Sequence, residues 1–268
     1  MGREAGALLT RAGRLPQRGM RVIASSCACA RCGAEPQQTG ADMRLILVPA
    51  FACDGDLYEP LIPLLRPDFD CRVVVPAAPD MAACAREVVD AAEGRPCLVA
   101  GTSFGGHVAR EAAISAPALV RGLVVMGAAP QASASREVFD RRRAAIEDDG
   151  GAEMLEEMAR AIVFEPEGRG QEAADTFRAM AARAGTDRLL AQNEALMTRP
   201  DRTADLPGLA CRSLLVWGEA DAFSAPEAGR AMAQAMPEAE FVLLEECGHL
   251  PTLETPMRVA AAIRARFL

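Results

Sequence analysis

Six short, almost wholly apolar runs, each followed by a turn or a helical pattern, constrain this chain more than any other feature. They are Leu45–Val48, Cys71–Val75, Cys97–Ala100, Leu123–Met126, Ser213–Trp217 and Phe241–Leu244. A strand with one solvated face would alternate apolar with polar residues. Runs that are apolar throughout need cover on both faces, the condition of a parallel sheet with crossover helices on either side. Helices are expected at Tyr58–Leu65, with Pro60 in the first turn, at Met81–Ala92, from His107 to about Ser115, near Pro226–Met236 and at Pro256–Phe267. The expected class is α/β, a mostly parallel central sheet covered by helices on both faces.

The alternation stops near Gly127. From Ser133 to Met197 only helical patterns occur: Val138/Phe139 to Ile146, then Met154, Leu155, Met158 and Ile162, then patterns centred on Phe177/Met180 and on Leu189/Leu190/Met197. Gly150-Gly151 and Glu165–Gly170 punctuate them. The expected organisation is a core of residues 43–130 and 206–268 with residues 131–205 inserted as a helical lid. The lid's Met and Leu stripe is expected to serve helix packing, and its sheet-facing side to be able to line an apolar pocket.

Residues 1–42 differ, with six arginines against three acids and no sustained period beyond a brief Arg21–Ala24. They lack the long apolar segment of a secretory signal. The expectation is a disordered extension or a start codon assigned too far upstream, Met43 standing directly before the first strong strand. A transit peptide is the lesser alternative. Cys27, Cys29 and Cys32 invite a metal reading, but three clustered thiols without a paired fourth ligand are weak evidence for zinc.

Composition narrows the chemistry. The 268 residues suffice for one large α/β domain with a full core. All 29 basic residues are arginine, which removes lysine Schiff bases, a pyridoxal phosphate anchor and a P-loop lysine. A net charge of −8 argues against a nucleic-acid partner. No apolar run approaches the roughly 18 residues of a membrane span. Nine scattered cysteines, an odd number, are expected to be reduced thiols in a cytoplasmic protein.

The chemistry-bearing residues gather at strand ends. Gly101-Thr102-Ser103-Phe104-Gly105 is a G-x-S-x-G between an apolar run and a helical pattern. So sharp a turn holds its central residue at positive φ, lifts the hydroxyl above the strand end and leaves no space for a Cβ at the flanking glycines. The run Ser213–Trp217 leads into Gly218-Glu219-Ala220-Asp221, and Phe241–Leu244 into Gly248-His249-Leu250-Pro251-Thr252-Leu253-Glu254. Catalytic groups of open parallel sheets sit beyond the carboxyl ends of the strands, where Ser103, Asp221 and His249 all fall.

With its Ser…Asp…His order, its serine turn and these two loops, the chain resembles the α/β-hydrolase family over about residues 43–268. The resemblance implies a serine hydrolase with an acyl-enzyme intermediate. Ser103 is the nucleophile, His249 the base and later the acid, and Asp221 the residue that fixes the imidazole. It also implies two backbone N–H donors for the oxyanion. Phe104 supplies one, directly after the nucleophile. Phe51 supplies the other by position, in Pro49-Ala50-Phe51, where the family usually has His-Gly-x. Gly101 and Gly105 become the elbow glycines. No metal and no organic cofactor is implied.

Other residues compete for these roles. His107, four residues after Ser103, is expected to pack or hydrogen-bond, and Glu219 shares the acid loop with Asp221. Asp54 and Asp56 read as turn residues rather than a metal pair. Arg199-Pro200-Asp201-Arg202 is expected to tie the lid to the core by ion pairs. Gly127-Ala128-Ala129-Pro130 offers no acid at the alternative position. The expected substrate is a small-molecule carboxylic ester with a modest apolar acyl group, with neither nucleic acid nor membrane as partner. The short entry turn and lid are similar to those of small carboxylesterases, including those that demethylate pimeloyl-carrier-protein esters. The same fold and triad serve C–C bond hydrolysis and cofactor-free perhydrolysis, which are the alternative chemistry. A non-catalytic binding protein is the alternative class.

Overall fold

The computed structural model describes residues 20–24, 43–133 and 135–268. Its strands are β1 Met20–Ala24, β2 Arg44–Val48, β3 Asp70–Val73, β4 Cys97–Thr102, β5 Val120–Met126, β6 Arg212–Gly218 and β7 Ala239–Leu244. They form one sheet in the order β1-β7-β6-β5-β4-β2-β3. Strands β2 to β7 are parallel, with every β2, β4 and β5 residue buried except Arg121. The half-exposed β3 closes one edge. At the other edge β1 lies antiparallel on β7, Met20 opposite Leu244. That strand falls within the stretch expected to be a disordered extension; pairing there covers backbone groups that β7 would otherwise leave open. The rest of residues 1–42, with the Cys27, Cys29 and Cys32 cluster, lies outside the described residues.

Helices cover both faces. Along β5, a Cβ on Gly122 would meet Phe267, while the Val125 side chain lies against Gly106. Three residues apart on a strand means opposite faces, so α3 (Phe104–Ser115) and α10 (Pro256–Phe267) pack on opposite sides. Helix α2 (Met81–Asp90) lies beside α3, and the short α1 (Ile62–Leu65) beside α10. The single helix expected over Tyr58–Leu65 is instead a 3-10 turn, Gly55–Tyr58, followed by α1. Pro60 and Pro63 each remove an N–H donor from that stretch, which breaks a continuous ladder.

Chain order reverses between β2 and β4: β3 is added on one side of β2, then β4 to β7 on the other. A crevice opens at such a switch point, beyond the carboxyl ends of the two strands. Between β5 and β6 four helices are inserted: α4 Arg136–Asp149, α5 Ala152–Ala161, α6 Gln171–Ala182 and α7 Thr186–Met197. Arg178 donates to both carboxylate oxygens of Glu156 at 2.7 and 3.0 Å, joining α6 to α5. Arg143 pairs with Glu194 between α4 and α7. Ion pairs also reach the core, among them Arg169 with Glu246 at 2.7 Å. Arg183 donates to Asp54 and Asp56, and Arg202 donates to Glu111 of α3 at 2.9 Å. Asp54 also accepts the N–H of Asp56 at 3.1 Å, so both acids serve the turn after β2.

Candidate active site

Ser103 stands between β4 and α3 at φ +53° and ψ −115°. Its N–H donates to the Met126 carbonyl on β5 at 2.7 Å, and its own carbonyl accepts from Gly106 at 2.8 Å. The flanking glycines are required sterically. A Cβ on Gly101 would collide with the Gly105 carbonyl, and one on Gly105 with the Val48 carbonyl. Tyr58, fully buried, donates its hydroxyl to the Val48 carbonyl at 2.6 Å and shares a 3.2 Å hydrogen bond with Thr102. That strap joins the ends of β2 and β4 beneath the serine. Phe104 opens α3 with its ring buried and its N–H in the first turn, where a helix has no acceptor of its own to offer.

His249 and Asp221 are held as a pair, the Nδ1 lying 2.7 Å from each carboxylate oxygen, with both side chains buried. An ionised carboxylate only accepts, so Nδ1 carries the proton and Nε2 is the free acceptor. Asp221 Oδ1 also accepts the N–H groups of Phe223 and Ser224, each at 2.9 Å. The buried Trp217 indole donates to the Ser224 carbonyl at 3.0 Å, fastening this loop to the end of β6. Gly127, at φ +60°, closes against the pair from β5; a Cβ there would stand 2.9 Å from Asp221 Oδ2 and from His249 Nδ1. Glu219, sharing the loop, is exposed.

The histidine loop has an anchor of its own. The Glu254 carboxylate accepts from the N–H groups of Gly248 (2.8 Å) and Leu250 (3.1 Å), on either side of His249. It also accepts from Phe164 of the insertion at 2.8 Å, and the His249 N–H donates to the Ile162 carbonyl at 2.8 Å. Burial raises the Glu254 pKa, and the three N–H donors oppose that rise.

A cavity of about 170 Å³ lies between sheet and insertion. Ala50, Phe51, Ser103, His107, Gly127 and His249 form one wall; Phe139, Arg142, Met158, Ile162, Leu196 and Arg199 form the other. Ser103, His249 and Phe51 thus meet at one space, with Asp221 behind His249 and Phe104 behind Ser103. The turn after β2 is pinned from above. Ala52, at φ +62°, donates its N–H to Gln192 Oε1 at 3.2 Å, and Gln192 Nε2 donates to the Pro76 carbonyl at 3.0 Å.

The second histidine lives under opposite charges. His107 Nδ1 faces an Arg110 N–H at 2.9 Å, and Arg110 donates onward to the carbonyls of Ala128 and Ala129. A guanidinium cannot accept, so this Nδ1 is unprotonated. Burial and the Arg110 and Arg199 charges hold the His107 pKa well below the usual imidazole value.

Arg199 departs from expectation. Arg202 makes the anticipated ion pair, but among the described residues Arg199 donates only to the carbonyls of Gln131 and Leu196, and it turns into the cavity. Gln192 and Arg142 carried no local signal in the sequence. Glu254 stood at the end of the histidine motif, where its spacing could have marked it. Among the described residues no His, Cys, Asp and Glu side chains converge as a metal site, six cysteines are free thiols, and no helix is long and apolar enough to cross a membrane.

Known proteins share the fold and part of the sequence. A pimeloyl-[acyl-carrier protein] methyl ester esterase of Stenotrophomonas maltophilia (strain K279a) is 27% identical over 84% of this chain and 93% of its own length. The solved structure of a malate-bound thermophilic esterase from Thermogutta terrifontis superposes with a TM-score of 0.78 at 27% identity, covering 85% of this chain and 90% of that one. An enol-lactonase from Burkholderia xenovorans LB400, at 17% identity and a TM-score of 0.74 over 92% of this chain and 94% of its own, shares the fold. Residues 45–262 match the model of the alpha/beta hydrolase family, and the chain belongs to that family.

Proposed function

We propose that this protein is a serine hydrolase that cleaves a carboxylic ester through Ser103, His249 and Asp221. One observation carries the reading: Ser103, at positive φ, opens on the same cavity as His249, whose far nitrogen is held by a buried carboxylate. In this mechanism His249 Nε2 takes the Ser103 proton as Oγ attacks the ester carbonyl. The imidazolium then returns that proton to the departing alkoxide, leaving an acyl-serine and a free alcohol. Water, deprotonated by the same nitrogen, releases the acid and restores the serine. Asp221 fixes the tautomer and stabilises the imidazolium.

The N–H groups of Phe104 and Phe51 are the oxyanion donors in this scheme, one from the first turn of α3 and one from the turn that Gln192 holds. His107 is unsuited as base, because a neighbouring guanidinium opposes the imidazolium it would have to become. Residues 131–205 act as the lid, whose Ile162 carbonyl and Phe164 N–H are already bonded to the histidine loop. The free thiols fit a reducing compartment, the cytoplasm in this reading.

A fluorophosphonate probe tests the nucleophile. Wild type is expected to label covalently and Ser103→Ala to stay unlabelled while folded; folded wild type that resists the probe would sink the proposal. Turnover of p-nitrophenyl esters graded by acyl length then tests the ester reading against C–C bond cleavage and perhydrolysis.

A further inference from the structure

The cavity wall opposite the serine holds two guanidiniums and no carboxylate. Arg142 lies over the rings of Phe51, at 4.8 Å, and of Phe139, at 5.2 Å, and Arg199 lies 6.0 Å from the same Phe139 ring. No Asp or Glu lines this space. Among the described residues Arg199 donates only to backbone carbonyls, and Arg142 meets neither a hydrogen-bond acceptor nor an acidic side chain. The contrast within the same insertion is plain: Arg143, Arg178, Arg183 and Arg202 each hold a carboxylate.

Burial pushes the Arg142 pKa down to about 10, and the charge that adds to this effect is another cation, Arg199. Like charges kept together in a partly buried space are costly unless something negative joins them. Stacking on phenylalanine faces orients the planar fork of Arg142 without using its N–H donors.

We infer that the substrate carries a carboxylate, which Arg142 and Arg199 hold across the cavity from Ser103. The inference rests on the ester hydrolase reading and names its substrate class: a short ester bearing a free carboxylate. At about 170 Å³ the inner cavity is smaller than the roughly 300–1,000 Å³ of common ligand pockets, so few carbons separate carboxylate and scissile carbonyl. Hydrolysis of such an acid monoester consumes one water and yields a dicarboxylate and an alcohol. When the carboxylate lies on the alcohol side instead, it yields a simple acid and a hydroxy acid.

Two measurements test this. In the first, kcat/KM is compared between monomethyl glutarate and methyl pentanoate, and between acetoxyacetate and propyl acetate, to cover both sides of the ester. A preference of about 10–100-fold for the charged member of at least one pair is expected, as for a charge-assisted contact. That ratio should fall at least tenfold in Arg142→Gln and in Arg199→Gln, and recover in part in Arg142→Lys. Equal rates within both pairs, or a ratio unmoved by the substitutions, would overturn the inference.

In the second, glutarate and acetate are titrated calorimetrically into wild type and Ser103→Ala, with thermal melting to confirm that each variant folds. Binding of either that weakens at least tenfold in Arg142→Gln supports the anion site even in a protein that neither labels nor turns over esters. In that case the hydrolase proposal fails and the anion site stands. Absence of carboxylate binding, alongside active ester turnover, defeats the anion site alone.

Discussion

The two walls of the cavity are built on different principles. On the sheet wall each proposed reacting group stands at a strand end and is held by backbone: Ser103 by the Met126 carbonyl, Asp221 by two N–H groups, His249 by a loop knotted around Glu254. On the insertion wall the side chains that face inward, Phe139, Arg142 and Leu196, come from helix faces and are held by packing and ring contacts. The first arrangement fixes atoms to the accuracy that proton transfer needs. The second can change its side chains without moving a strand, which suits it to selecting substrates. If that division holds, substitutions on the sheet wall lower the rate for every substrate, whereas those on the insertion wall alter which substrate is preferred.

Asp221→Asn is the strongest test of the first half. The amide would place a donor against Nδ1 and favour the wrong imidazole tautomer, as well as losing the charge that stabilises the imidazolium. A fall of about 10⁴ in kcat is expected for all esters alike, with the melting temperature little changed. A loss confined to some substrates would break the division.

Glu254 belongs to both walls, since its carboxylate binds Gly248 and Leu250 on one and Phe164 on the other. Glu254→Gln keeps the shape but turns an acceptor into a donor facing N–H groups. A loss of about 3 kcal/mol in urea unfolding is expected, because each buried unsatisfied donor costs about 1–3 kcal/mol. The rate should fall with it as the histidine loop loosens. Stability equal to wild type would show that the walls are joined elsewhere.

Gln192 sits on the insertion but acts on the sheet wall, through the Ala52 N–H. In Gln192→Leu the turn carrying Phe51 loses its external support, and about a tenfold fall in kcat is expected with KM nearly constant. That is smaller than the ~10²–10³ for outright loss of an oxyanion donor. A change in KM alone would assign Gln192 to substrate binding instead.

Much of this was legible in the sequence because it is local. Apolar runs need burial on both faces, and a G-x-S-x-G fits only where strand and helix pass at backbone contact, as Gly101 and Gly105 show. The loops of Asp221 and His249 likewise follow directly on their strands, and the structure brings the two side chains together. What escaped depends on long-range partners. Gln192 meets Ala52 across 140 positions of sequence, and Arg142 and Arg202 look alike until one is seen to face Glu111 and the other a cavity. The strand Met20–Ala24 escaped for the same reason: its structure comes from β7, more than 200 residues away. Tyr58 shows the reverse error, a helical pattern overridden by Pro60 and Pro63 and by the pull of the Val48 carbonyl.

On the same cavity wall as His249, His107 should make the stability of the fold depend on acid. His107 has its pKa depressed in the folded state by burial and by Arg110 and Arg199. The unfolded chain therefore binds the proton more readily. Above the unfolded value of about 6.5 the group is neutral in both states and costs nothing. As pH falls below it, the unfolded chain gains a proton that the folded one refuses, and stability declines by up to about 1.4 kcal/mol per pH unit. The decline should run from about pH 6.5 down to the depressed folded value. His107→Gln, which can still accept from Arg110 and does not titrate, is expected to flatten this part of the stability curve between pH 6.5 and 5. Chemical unfolding at half-unit pH steps measures it. The ester turnover of the variant should stay near that of wild type, because in the proposed mechanism His249 and not His107 is the base. If the slope of stability persists in the variant, another group supplies it; if the folded variant loses turnover, the base has been assigned to the wrong histidine.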